Sequence, residues 1–260
     1  MPSLVFQPAS PDAPHGRGRS ATSDAVASSS LNWVRALAAA SALCLLAMLG
    51  ISWSTGLNVQ HFEHVSTPAF WAESFLAHAQ PLRWLTVFDD VFVACYVGTT
   101  LLLVQRLRAD APEGARLHAL GPWVAGLALA VGLLDLVENH HVLSLLHAVE
   151  LGQPIGHDTM VAREWLSSVK WLLGHVAFFL LGVALWFDTW PWRLFRASLI
   201  AWQLPVGAAA LALASTSGLG EALGWLKLIN VLGGFLALAT LPWPDRPEPS
   251  LALTERSANG

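Results

Sequence analysis

Charged residues are scarce in this sequence, since Asp, Glu, Lys and Arg together make up only 12% of it. Ordinary soluble domains carry about 25%, and here 54% of the residues are hydrophobic and 13 are Trp. The formal net charge is −4, so the chain lacks the basic face that nucleic-acid binding requires. We therefore expect an integral membrane protein that binds no nucleic acid.

Cysteine is nearly absent too. Cys44 and Cys95, the only two, each lie in an apolar run, so they form neither a disulfide framework nor a thiolate zinc site. No metal and no cofactor is predicted. Arginine far outnumbers lysine and alanine is abundant, a bias typical of GC-rich bacterial genomes. We expect a multi-pass protein of a bacterial cytoplasmic membrane.

Six apolar stretches are each long enough, at about 20 residues, to cross about 30 Å of hydrocarbon as a helix. The sequence therefore predicts an all-α, six-helix transmembrane bundle over residues 31–241, between disordered tails at 1–30 and 242–260. The first stretch is longer than the apolar core of a usual signal peptide, and no small-residue cleavage site follows it. We therefore interpret it as a transmembrane helix. The predicted helices are approximately 34–53, 84–105, 121–146, 165–187, 195–214 and 222–241.

Arginines in the connections predict the orientation, because basic residues accumulate on the cytoplasmic side. The opposite side holds only Arg83 and Arg163. Both termini are therefore expected to face the cytoplasm. Ten arginines fall on the cytoplasmic side: Arg17, Arg19, Arg35, Arg106, Arg108, Arg116, Arg193, Arg196, Arg246 and Arg256.

The long connection at 54–83 is predicted to carry a short helix that starts at Thr67-Pro68. Its aromatic residues, among them Trp71, recur at helical spacing, which favours a helix lying along the outer interface. The connection also holds several histidines, but their His-x-x-His spacing is not an established zinc signature. A zinc site there is the weaker alternative. The residues concerned are His61, Glu63, His64 and His78.

The strongest signal is a set of charges inside the predicted spans. Asp135, Glu138 and Asn139 share one helix face at i, i+3 and i+4. A charge at bilayer depth costs roughly 2.5 to 3.5 kcal/mol on insertion scales, so it requires a partner or a function. From the helix directions and a rise of about 1.5 Å per residue, all the embedded charges fall in the outer half of the bilayer. The others are Asp89, Asp90, Lys170 and Lys227.

The helix faces support convergence of these groups. Asp89 and Tyr96 share a face of the second span, and Lys170 shares a face of the fourth with Ser167 and Gly174. The sequence thus predicts a polar cavity lined by six residues. Four carboxylates oppose two ammonium groups, so a proton or a cation is expected to balance the excess. The six residues are Asp89, Tyr96, Asp135, Glu138, Asn139 and Lys170.

Several further residues are candidates for the cavity, and for each of them a second interpretation remains open. Lys227 either joins the cluster or extends toward the headgroups, and Asp90 either joins it or faces the outer interface. His140 and His141 lie near the outer end and read as interfacial histidines, while His175 is deeper. A haem bound by His140 and His175 is disfavoured by that difference in depth, and a Ser167–Lys170 nucleophile pair is less favoured than simple packing.

The motifs Phe88-Asp89 with Tyr96, Asp135-Leu136-Val137-Glu138-Asn139 and Lys170-Trp171 resemble a loosely defined group of small, uncharacterised bacterial multi-pass membrane proteins. That group has an Asp-x6-Tyr helix, an Asp-x-x-Glu-Asn helix and a later Lys. The resemblance covers about 100 residues of the second to fourth spans. Relatives often have Pro where this chain has Val93, and Asp90 is an additional acid here. The resemblance supports the site and implies no reaction.

Three functional classes follow from the cluster. The acids and Lys170 form a pocket that binds or transports a small polar or cationic ligand or a proton, which is the favoured hypothesis. Alternatively, a membrane-embedded enzyme uses a carboxylate as general base and Lys170 against an anionic group of a lipid or prenyl-type substrate. In the third class the ion pairs only fix helix packing. Membrane lipids are the expected partners, with a homo-oligomer or another membrane partner left open.

Overall fold

The computed structural model describes residues 21–57, 62–213 and 218–243. The long segments in this part of the chain are all helical, and no strand occurs in it. The elements are α1 (Ala21–Thr55), α2 (Pro68–Ala77), α3 (Ala79–Asp110), α4 (Arg116–Glu150), α5 (His157–Ala184), α6 (Trp190–Ser198), a π-helical turn (Leu199–Gln203), α7 (Leu204–Leu213) and α8 (Gly218–Thr240).

Six helices are long and apolar enough to span a membrane. The predicted all-α architecture with six spans is therefore confirmed, and it indicates a multi-pass membrane protein. Helices α6 and α7 and the π-helical turn between them form one span. The observed spans are mostly longer than predicted: Ser29–Thr55, Ala79–Asp110, Arg116–Glu150, His157–Ala184, Trp190–Leu213 and Ala222–Thr240.

The ends of the membrane domain differ from the predicted boundaries. Helix α1 begins at Ala21, within the segment predicted to be disordered, while residues 1–20 and 244–260 lie outside the described residues. Two residues of the predicted C-terminal tail pack on the bundle. The Trp192 Nε1 group donates to the Pro242 carbonyl at 2.9 Å, and the ring of Trp243 lies edge-on to that of Trp192 at 5.5 Å.

The predicted short helix is present as α2, and one of its faces packs against one end of the bundle. The hydroxyl of Thr67 caps it by accepting from the Phe70 amide at 3.2 Å, and Pro68 stands in its first turn. Trp71 and Phe75 are completely buried in a cluster with α3 and α4 residues. Burial of these two large aromatic side chains explains why this face of the helix packs on the bundle. We call this end of the bundle, which also holds the 151–156 turn, the α2 end.

The six spans form a closed ring, because each packs on its sequence neighbours and α1 packs on α8. The α1–α8 contact lies away from the α2 end. There Arg35 Nη2 donates to the Leu241 carbonyl at 3.1 Å, and Ala38, Ala42 and Phe235 belong to one buried cluster.

Candidate functional site

The ring encloses a cavity of about 750 Å³ in the half of the bundle nearer the α2 end. Helices α1, α3, α4, α5 and α8 all contribute to its wall, together with the loop residues Phe62 and Glu63 and with Gln203 of the π-helical turn. All six residues of the predicted pocket line this cavity.

Glu138 is the centre of the most buried part of the wall. Its Oε1 atom lies 3.0 Å from Arg163 Nη2, and its Oε2 atom accepts a hydrogen bond from Lys170 Nζ. The guanidinium of Arg163 also donates to the Glu138 carbonyl at 3.2 Å and to the Phe62 carbonyl at 2.6 Å. The side chains of Glu138 and Arg163 are only 4% and 5% exposed. Glu138 and Arg163 together thus join α4, α5 and the loop that follows α1.

Both carboxylate oxygens of Asp135 also have partners. Its Oδ1 atom lies 3.0 Å from Lys170 Nζ, and its Oδ2 atom accepts from the Tyr96 hydroxyl at 2.7 Å. Lys170 therefore bridges the two acids of α4, and Tyr96 ties them to α3. The structure brings Tyr96, Asp135, Glu138 and Lys170 together, as the sequence predicted.

Asp89 differs from these acids. It lines the cavity and is partly exposed, it interacts by hydrogen bonding with the Asn139 side chain, and it lies within electrostatic reach of Asp135 and Lys170. In the part of the chain that the structure describes, no basic nitrogen lies within 4 Å of its carboxylate. Asp89 is thus a cavity carboxylate without an ion-pair partner.

Asp90 points to a different environment from its neighbour in sequence. It accepts from Asn139 Nδ2 at 2.9 Å and lies 4.0 Å from Nε2 of the exposed His140. It does not line the cavity. Asp90 is therefore linked to the cluster through Asn139 and reaches the bundle surface at His140.

Trp171 lies beside Lys170 in the cavity wall, with the Lys170 Nζ atom 5.3 Å from the centre of its ring. Its Nε1 group donates to Glu63 Oε2 at 3.0 Å, and the Lys227 Nζ atom lies 3.3 Å from the centre of its ring. Lys227 is only 7% exposed, so it belongs to the cluster and does not extend to the headgroups. Burial acts to raise the pKa of Glu63, but the positive charges of Lys170, Lys227 and Arg163 outweigh it and hold this pKa below its usual value.

A chain of polar side chains continues from the cavity toward the opposite end. His175 stacks beside Trp171, and its Nδ1 atom lies 3.1 Å from Gln203 Oε1. Gln203 donates to Asn230 Oδ1 at 2.6 Å, and Asn230 donates to the Ser198 hydroxyl at 2.8 Å. His175 is buried here while His140 is exposed beside Asp90, so the two histidines lie in different places and form no axial pair for haem.

The remaining histidines are dispersed. His64 lies 3.5 Å from Glu164, His78 Nδ1 lies 3.0 Å from the Ser74 carbonyl, and His61 falls outside the described residues. Across the described ranges, no group of three or more His, Cys, Asp or Glu residues is arranged to hold a metal ion. Ser167 is buried without a hydrogen-bond partner, and Lys170 is directed to the two acids.

Three residues of the cavity were not assigned to it from the sequence: Glu63, which was considered only for a zinc site in the loop, Arg163 and Gln203. Arg163 was assigned to a loop, but α5 starts at His157 and buries it. A signal existed for this residue, because Arg163, Ser167 and Lys170 stand at i, i+4 and i+7 and therefore share one helix face. No spacing pattern identified Glu63 or Gln203.

No protein-family model, curated protein or solved structure matches this chain. The resemblance drawn from the Asp-x6-Tyr and Asp-x-x-Glu-Asn motifs therefore stays a prediction.

Proposed function

We propose that this membrane protein binds a proton or a small cationic group at Asp89, on the wall of its internal cavity. The supporting observation is that Asp89 faces the cavity without an ion-pair partner among the described residues, whereas Asp135 and Glu138 are both paired.

The charges around the cavity leave room for one more positive charge. The four carboxylates that line it oppose only three cationic side chains. An unpaired charge in a low-dielectric region is costly, so a proton or a cation at Asp89 stabilises the whole cluster. The groups are Glu63, Asp89, Asp135 and Glu138 against Arg163, Lys170 and Lys227.

The other acids act mainly as structural elements in this proposal. Glu138 joins Arg163 and Lys170, and Lys170 also holds Asp135. Because its ammonium is engaged by two carboxylates, Lys170 is poorly placed to stabilise an anionic substrate group. Binding is therefore favoured over the enzyme hypothesis, and the packing hypothesis applies to the Glu138 network alone.

The arginine distribution supports a location for the site. It predicts that the α2 end faces outward, so the cavity belongs to the outer half of the bilayer, in what we propose is a bacterial cytoplasmic membrane.

The test is infrared titration of the purified protein in lipid nanodiscs, with methylammonium chloride as the small cation and sodium chloride as the ionic-strength control. We expect a protonated-carboxyl band that disappears in Asp89→Asn and that methylammonium reduces. Asp90→Asn is the matched control, since this neighbouring acid lies outside the cavity, and it should keep both responses.

The proposal fails if Asp89→Asn changes neither the carboxyl band nor the response to methylammonium. It also fails if Asp90→Asn produces the same losses, because the effect would then arise from general charge removal.

A further inference from the structure

The cavity is far larger than the charged group it is proposed to hold. Its volume of about 750 Å³ lies within the range of about 300 to 1,000 Å³ of pockets for drug-sized ligands. The acids and their partners form only part of the wall. Much of the rest is apolar, with Leu45, Met48, Phe178 and Leu228 among the residues that form it.

Aromatic rings stand next to the unpaired carboxylate. Phe92 and Tyr96 follow Asp89 at i+3 and i+7, so they share its helix face, and their ring centres are 5.1 Å apart. Phe235 of α8 packs edge-on against Phe92 at 5.7 Å. All four residues line the cavity. A carboxylate beside aromatic faces is suited to an ammonium group, which both attract.

The wall of the cavity reaches the outside of the ring between α1 and α8. Trp53 of α1 and Trp225 and Ile229 of α8 line the cavity, yet they are 90%, 40% and 61% exposed. The two helices pack together in the other half of the bundle, where Arg35 contacts Leu241. Within the described residues this opening is bordered by apolar side chains, and in a six-span membrane protein it faces lipid.

We infer that the ligand is a hydrophobic amine, which enters from the lipid between α1 and α8 and places its ammonium group on Asp89 and its apolar part in the remaining cavity. This inference depends on the proposed function, because it requires Asp89 to accept the positive charge. It adds the ligand class and the route of entry.

The test uses tritiated decylamine and the full chain in phosphatidylcholine nanodiscs, with the signal of empty discs subtracted. We expect saturable binding of one amine per protein. Asp89→Asn should weaken it at least tenfold, while Asp90→Asn changes it less than twofold. Asp89→Glu keeps the negative charge and should retain most of the affinity of the unmodified protein. That result would show that the loss in Asp89→Asn does not come from misfolding.

Competition experiments distinguish the contribution of the ammonium group to binding from that of the apolar chain. Butylamine, which has the charge without the chain, should compete at least 100-fold more weakly than decylamine. Decanol and decanoate have the chain without the positive charge and should compete at least tenfold more weakly. Equal competition by decanol, or decylamine binding that is indifferent to Asp89→Asn, would overturn the inference.

The route is tested by closing the opening. Ser52 lines the cavity on α1, whereas Gly50 is exposed with open space around it. Ser52→Trp should slow decylamine association at least fivefold, and Gly50→Trp should leave it unchanged. Equal rates in both variants would refute entry between α1 and α8.

The two proposals fail in different ways. If methylammonium acts at Asp89 but decylamine competes no better than butylamine, the proposed function stands and the amine inference falls. If neither cation depends on Asp89, both fall.

Discussion

The Glu138–Arg163 ion pair should contribute far more to stability than a surface pair of similar geometry. The chain offers such a comparison, since Arg83 Nη2 lies 2.8 Å from Glu150 with side chains 44% and 29% exposed. The buried pair has a similar separation of 3.0 Å with exposures of only 5% and 4%. The two pairs differ in burial, and the buried pair also belongs to a network, because Glu138 binds Lys170 as well.

The expected energies follow from which groups lose their partners. Removing one member of a buried pair costs about 3 to 5 kcal/mol. In Glu138→Gln, Lys170 keeps Asp135 and Arg163 keeps two carbonyl acceptors, so we expect a loss of about 3 kcal/mol, the lower end of that range. Arg163→Met should cost a similar amount.

The double variant should lose about 3 kcal/mol as well and not twice as much, because the second substitution breaks no further part of the pair and leaves no new uncompensated charge. The coupling energy of the buried pair is then about 3 kcal/mol. For Arg83→Met and Glu150→Gln we expect a coupling of about 0.5 kcal/mol, the typical value of an exposed pair.

The measurement is reversible unfolding in mixed micelles with increasing dodecyl sulfate fraction, followed by tryptophan fluorescence and circular dichroism. Each double-mutant cycle compares the unmodified protein with two single variants and their double variant. The two cycles together therefore need four single and two double variants. If the Glu138 and Arg163 losses simply add, the pair has no special coupling and the reasoning from burial is wrong. A coupling as large at Arg83–Glu150 would refute it equally.

Two further predictions concern single side chains. In Gly207→Ala the new methyl group would overlap the His175 ring, so we expect the free energy of unfolding to fall by about 1 to 3 kcal/mol. Adding Gly207→Ala to a protein that already carries His175→Ala should cause no further loss. Gly233→Ala, with open space around it, is the control and should cause no loss in the same unfolding assay. The pKa of Glu63 lies below its ordinary value of 4.5, so its contribution to stability is complete above pH 4.5 and is lost as the pH falls below it. Stability measured from pH 6 to pH 3 should therefore decline less in Glu63→Gln than in the unmodified protein; parallel curves would contradict this.

The sequence was sufficient for the spans and for the centre of the cluster, for identifiable physical reasons. Hydropathy and length decide which segments cross the bilayer, and no tertiary contact is needed to read them. Asp135, Glu138 and Lys170 were found because a charge in such a segment is costly and helical spacing fixes its face.

Contacts that depend on tertiary structure could not be read in this way. Glu63 comes from a connection whose position is set by packing, including the bond from Arg163 to the Phe62 carbonyl. Gln203 reaches His175 from a π-helical turn, where the usual 3.6-residue spacing does not apply. Arg163 was missed because the start of its helix was placed eight residues too late, at 165 instead of His157.

The order of acids and bases along the chain has a consequence for biogenesis. The acids of α4, Asp135 and Glu138, are synthesised before their partners Arg163 and Lys170 on α5, and Asp89 of α3 is synthesised earlier still. Each unneutralised acid disfavours partition into lipid, by roughly 2.5 to 3.5 kcal/mol when it lies at the centre of a helix. We therefore expect these helices to leave the translocon together, once α5 has emerged. A nascent polypeptide ending at residue 156 should integrate poorly.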